Sequence, residues 1–299
     1  MSDLCEEIRA VSPDATGLCT ELMADPQHRL DRADELKKTY GIEIPFLFSD
    51  FDPKTTDDEE ISGKVDRFID STNTKLDMAG VFFGSRDYVE QFVRATRTFV
   101  QNELKVRPEK SLTFNAVDTI RTGFGPCVGI DLVYYGILFL AGFDPEIQFL
   151  FIPGEQPGEL FLHTRLALLY DDSPSASRYI VDAAMGVFGE TGKNEPYIQL
   201  SPGEFIALTY VNQLFETPSL STDDQLGKIE LALTLSKNNL EVHFGALCQA
   251  IRYYESKKDW ANARRYYHEA VLLNPAGEKA LMEKFPQMAS TIPRATASR

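Results

Sequence analysis

The chain has 299 residues, enough to bury a sizeable core, and its 43% apolar and 25% charged composition is that of a globular protein, not a disordered one. Its 45 acidic and 30 basic residues leave a net charge of −15. That balance argues against a nucleic-acid backbone or an anionic membrane as the main ligand, because both demand clustered positive charge.

The first residues, MSDLCEEIRAVSPD, carry acids where an export signal needs a basic and then an apolar stretch. The longest apolar run, Val133 to Phe143, is interrupted by Gly136 and Gly142 and is too short to span a bilayer. A cytoplasmic location without membrane contact is expected. Four cysteines, Cys5, Cys19, Cys127 and Cys248, show neither CxxC spacing nor an accompanying histidine pair. The expectation is four reduced thiols, with no zinc knuckle, no disulfide framework and no metal or organic cofactor.

In chain order, residues 1–86 read as an acidic helical region broken between Ile44 and Glu60. There IPFLFSDFDPK places Asp50 and Asp52 after an apolar run, as at the start of a phosphotransferase site. Lys54 stands where that pattern needs Thr or Val, so a solvated acidic loop is expected instead. From Asp87, the residues Tyr88, Phe92, Val93, Ala95, Phe99 and Val100 recur at helical spacing and predict an amphipathic helix over 87–104. A second helix is expected over 115–121, then a Gly/Pro loop. Cys127 then opens a central helix to Ala141 that is apolar on most faces and ends at Gly142.

Strands are expected over 147–152, 161–170 and 179–182, separated by GEQPGE and DDSPSAS. Helices followed by strands at hairpin spacing predict an α+β fold with an antiparallel sheet packed on the central helix. Beyond 222 the chain turns helical again. Over 244–277, Leu247, Ile251, Tyr254, Ala263, Tyr267, Ala270 and Pro275 resemble one tetratricopeptide (TPR) unit. The reading divides the chain into 1–86, a core over 87–221, a helical region over 222–290 and a disordered tail over 291–299.

The chemistry centres on Cys127. A thiol at a helix N-terminus meets unpaired backbone N–H groups whose positive potential favours the thiolate, and those groups can also hold an oxyanion. Gly125-Pro126 ahead of it would let the backbone turn tightly. The imidazole such a thiol needs is supplied by His163, at the start of a predicted strand. Its ring would share a face with Phe161 and Arg165, with Leu162 and Thr164 opposite. Asp182, ending the next strand, would meet His163 and fix its tautomer if the two strands pair. Asp131, at i+4, shares a helix face with Cys127 and, if ionised, would raise the thiol pKa.

The stretch from Asp87 to Gly186 resembles the core of the transglutaminase-like superfamily, on RTFVQNELKV, GPCVGIDLVYYGILFLAGF, FLHTRLALLY and RYIVDAAMG. The resemblance implies a papain-like fold with a Gly-x-Cys at the start of a central helix. It also implies Cys127 as nucleophile, His163 as general base and acid, and Asp182 as its orienter. With the C-terminal TPR-like unit, the layout resembles the SirB1-like proteins. Family members often follow the His with Ala-Trp and the Asp with Pro; this chain has Thr164-Arg165 and Ala183-Ala184.

What the resemblance implies is a cysteine-dependent acyl-transfer enzyme acting on an amide of a peptide or protein, with a possible protein partner at the C-terminal helices. The departures motivate an alternative, an inactive fold of this kind kept as a protein-interaction module. YIVDAAMG also resembles the Asp strand of arylamine N-acetyltransferases, which share the triad order, and acetyl transfer is a third expectation.

Overall fold

The computed structural model describes residues 13–25, 28–40, 56–109, 116–153, 160–170, 177–190, 196–216, 222–275 and 278–289. The Asp50-x-Asp52 pattern, the GEQPGE turn, most of DDSPSAS and the tail 291–299 lie outside them. The chain divides into two compact units, one ending at Gly203 and the other beginning at Glu204.

The first unit mixes helices with sheet. It begins with α1 (Thr16–Ala24), α2 (Arg29–Tyr40) and α3 (Thr56–Met78), followed by α4 (Arg86–Asn102). Ser85 caps α4 by accepting a hydrogen bond from the Tyr88 N–H at 3.2 Å. The helix buries Tyr88, Val89, Phe92, Val93, Thr96, Phe99 and Val100, the three-and-four spacing legible in the sequence. Phe99 stacks on Phe68 with ring centroids 4.2 Å apart, and Phe92 meets Phe143 at 5.1 Å, so aromatic packing fixes α4 on its neighbours.

After the short strand β1 (Arg107–Pro108) come α5 (Ala116–Thr122), β2 (Phe124–Gly125) and α6 (Cys127–Leu140). Every residue of α6 from Val128 to Leu140 is buried, as a helix apolar on most faces demands, and Asp131 is buried with them. Gly142 ends it at φ 94°, a left-handed conformation that favours glycine, and the Phe143 N–H donates back to the Leu138 carbonyl at 3.0 Å.

The sheet is antiparallel and five-stranded, in the order β6-β5-β4-β3-β7. Its members are β3 (Glu146–Pro153), β4 (Leu160–Tyr170), β5 (Ser177–Asp182), β6 (Val187–Glu190) and β7 (Ile198–Leu200), with α6 packed on β4. The three central strands are those the alternation predicts. The two edge strands escape it because they are only four and three residues long and are partly exposed, too short for a period of two to register.

Residues before 87 belong to this unit and grip the central helix through Arg29. Its buried guanidinium donates to the carbonyls of Leu22 (3.3 Å) and Phe143, pairs with Asp144 and lies 4.4 Å over the Phe139 ring. A cation there faces the negative end of the α6 dipole. Cys19 is disulfide-bonded and its partner lies outside the described residues, which corrects the expectation of four reduced thiols. The pairing depends on where the chain folds back, which cysteine spacing does not encode.

The second unit is helical: α7 (Pro202–Glu216), α8 (Thr222–Leu235), α9 (Leu240–Ser256), α10 (Trp260–Leu273), α11 (Glu278–Lys284) and α12 (Pro286–Ala289). All but the first two residues of α7 fall in it, although the sequence reading starts the helical region at 222. α9 and α10 are joined by three residues and enclose Leu247, Ile251, Ala263, Tyr267 and Ala270 in one core. Asn239 and Asp259 cap the two helices by accepting from the N–H groups of Val242 and Asn262. Among the described residues, no helix is long and apolar enough to cross a membrane.

Candidate active site

The loop before Cys127 is held from outside the helix. β1 and β2 pair in parallel, with the Arg107 N–H donating to the Gly123 carbonyl at 2.9 Å and the Glu109 N–H to that of Gly125 at 3.0 Å. Gly123 makes the turn at φ 77°. Gly125 serves another purpose, because a Cβ there would lie 2.6 Å from the Thr119 methyl of α5. The tight turn expected of Gly125-Pro126 therefore belongs to Gly123, and Gly125 permits close packing. Pro126 is the N-cap residue and provides no side-chain hydrogen bond, so Cys127 is the first residue of an α6 whose leading N–H groups have no side-chain cap.

Opposite this helix start, the antiparallel register of β4 and β5 sets Leu166 beside Val181 and so carries Asp182 toward the His163 end of β4. The His163 Nε2 lies 2.9 Å from Asp182 Oδ2, and both residues are buried. The second carboxylate oxygen of Asp182 accepts the Met185 N–H at 3.0 Å, which fixes the carboxylate and through it the ring. With Nε2 engaged, Nδ1 is the nitrogen left to face the Cys127 sulfur, and the two groups are close enough for each to shift the other's pKa. The three residues singled out in the sequence are thus together in space, in the order Cys127, His163, Asp182.

Their electrostatics follow from burial and pairing. Burial by itself would raise the Cys127 pKa, but the hydrogen bond and charge of His163, together with hydrogen bonds from Thr164, bring it below the ordinary thiol value. Burial likewise opposes the imidazolium, yet Asp182 and Cys127 outweigh it and push His163 up to about 10. Both shifts arise from the same pairing, and both favour the thiolate–imidazolium form over the neutral pair.

Two further residues act on this pair. The Thr164 hydroxyl lies 2.7 Å from Asp131 Oδ2, and Thr164 also helps to lower the Cys127 pKa. Asp131 is completely enclosed, and burial, followed by the nearby Cys127 charge, raises its pKa well above the ordinary aspartate value. Desolvation thus works against the ionised form from which repulsion of the thiolate was anticipated. The sequence signal for this second pair was present: Asp131 stands one turn after Cys127 and Thr164 directly follows His163.

The remaining histidines have other settings. His28 is exposed beside Asp25 and His243 bonds Ser236, while His268 lies on α10. Compared with known proteins, the chain matches no family model, no curated protein and no solved structure.

Proposed function

We propose that the chain is a cysteine-dependent acyl-transfer enzyme with a papain-like, transglutaminase-like core, acting on an amide of a peptide or protein. The observation that carries this reading is the His163–Asp182 hydrogen bond of 2.9 Å, with Cys127, at the start of a buried helix, near enough to the same imidazole for each to shift the other's pKa.

In this mechanism the Cys127 thiolate attacks the amide carbonyl, and the S–C bond forms as the carbonyl π pair moves onto oxygen. The N–H groups at the start of α6 face that charge. His163 gives its proton to the amine as the C–N bond breaks, leaving a thioester and a neutral imidazole. Water or an acceptor amine then attacks the thioester, His163 takes its proton, and cleavage of the S–C bond returns the thiolate. Asp182 keeps the ring oriented throughout and stabilises its cationic form.

Alkylation of Cys127 by iodoacetamide, mapped by mass spectrometry, tests the reading before a substrate is known. At about pH 6 the wild type should react roughly tenfold faster or more than His163→Ala, because the imidazolium sustains the thiolate there. Equal rates would refute the triad. Acetyl-CoA with an arylamine, and peptide amides with amine acceptors, are the acyl donors to assay first.

A second role is favoured by the second unit. The small residues Ala263 and Ala270 let α9 and α10 interlock around Tyr267, the packing of a TPR-like hairpin, and support a partner-binding module in the same chain. If Cys127→Ala abolished function in cells with partner binding intact, an interaction-only role would be ruled out.

A further inference from the structure

The strongest unassigned feature is the Asp131–Thr164 pair, and its interpretation rests on Cys127 being the nucleophile. A carboxylate buried in a protein keeps its charge when two or three donors satisfy it. Asp131 is fully enclosed, has one hydrogen bond at Oδ2, and its Oδ1 has no partner among the described residues. The groups whose charges act on it are Cys127 of the same helix, His163 of β4 and Asp182 of β5; Asp131 itself acts on Tyr134, one turn further along α6. An isolated carboxylate in that setting is disfavoured by desolvation and by two neighbouring anions together.

The hydroxyl of Thr164 carries a single proton, and two acceptors compete for it. If Asp131 is ionised, the proton is drawn to Oδ2 and away from the sulfur. If Asp131 is a neutral acid, its own O–H can donate to Thr164 Oγ1, and the Thr164 proton is free for Cys127. Only the second arrangement gives the thiolate a side-chain donor besides His163.

We propose that Asp131 is a neutral carboxylic acid donating to Thr164 Oγ1, so that the Thr164 O–H is turned onto the Cys127 sulfur and the two residues form a second positioning arm beside His163 and Asp182. No proton changes owner: one stays on Asp131 and one on Thr164. The arm acts beside His163. Thr164 donates to the sulfur in the resting thiolate and again, together with the reprotonated imidazolium, when the sulfur departs as thiolate on resolution of the thioester.

The two arrangements predict opposite effects of substitution. The pH dependence of Cys127 alkylation by iodoacetamide is measured on the full chain for wild type, Asp131→Asn, Thr164→Val and Thr164→Ser. Asp131→Asn should leave the profile unchanged, because the carboxamide N–H replaces the carboxyl O–H. Thr164→Val should slow alkylation at about pH 6 by roughly tenfold, the worth of one hydrogen bond to a charged group, and Thr164→Ser should restore it. Faster alkylation in Asp131→Asn, the signature of a removed anion, would overturn the proposal, as would an unchanged rate in Thr164→Val.

The wild type supplies a check independent of how the variants fold. The Asp131 carboxyl carbon, followed by 13C NMR, should keep the chemical shift of a neutral acid from about pH 5 to about pH 7. The chemical shift of a carboxylate at the lower limit would overturn the assignment. None of these readouts requires turnover. An inert triad would show instead as equal alkylation in wild type and His163→Ala, whatever Asp131 does.

Discussion

Two ionisations set the reactivity of Cys127. The thiol pKa is lowered by its partners, and His163 is raised to about 10. Alkylation of Cys127 should therefore rise below the ordinary thiol range and run level through neutral pH. It should rise again near pH 10 as the imidazolium loses its proton and the thiolate loses its paired cation. A single step at the ordinary thiol value would contradict the ion pair. Asp131 gives a prediction in the opposite direction. Its folded-state pKa is raised, so above about pH 4, where an ordinary aspartate ionises, the unfolded chain sheds a proton that the folded chain keeps. Its effect on stability is most favourable below that value and declines as pH rises. Asp131→Asn removes this dependence. The melting temperature of the variant should thus gain on that of wild type from about pH 4 to about pH 7.

Among the elements, α4 and α6 were legible because burial imposes a period. α4 shows it as one apolar stripe and α6 as apolarity all round. β1 and β2 were not legible, since two-residue strands have no pattern and form only because Arg107 and Glu109 find carbonyls to pair with. They nevertheless hold the helix start where the thiol needs it. Gly125→Ala tests that arrangement, because the added methyl meets Thr119 side-chain atoms at 2.6 and 2.9 Å. A loss of roughly 1–3 kcal/mol in chemical denaturation is expected from overpacking. Slower Cys127 alkylation should accompany it, and unchanged stability would show that α5 yields without cost.

Across the molecule, the described helices before residue 87 are integral to the first unit, through an arginine that no sequence pattern singles out. Arg29→Met should strand the carbonyls of Leu22 and Phe143 and cost roughly 1–3 kcal/mol, read from the urea midpoint. The division at Gly203 and Glu204 predicts that residues 204–299 expressed alone give a helical circular dichroism spectrum and a cooperative melt.

What the sequence by itself determined was the α+β class, the central helix, three strands and the residue types for a thiol, an imidazole and a carboxylate, because periodicity and chemistry are local properties. Tertiary structure alone decided that His163 and Asp182 meet at 2.9 Å, that Thr164 bonds Asp131 at 2.7 Å, and that Asp131 is enclosed. Asp131 is the clearest case. Sequence places it one turn from Cys127 and suggests repulsion, whereas complete desolvation disfavours the charge that would repel, and desolvation is a property of the packed surroundings.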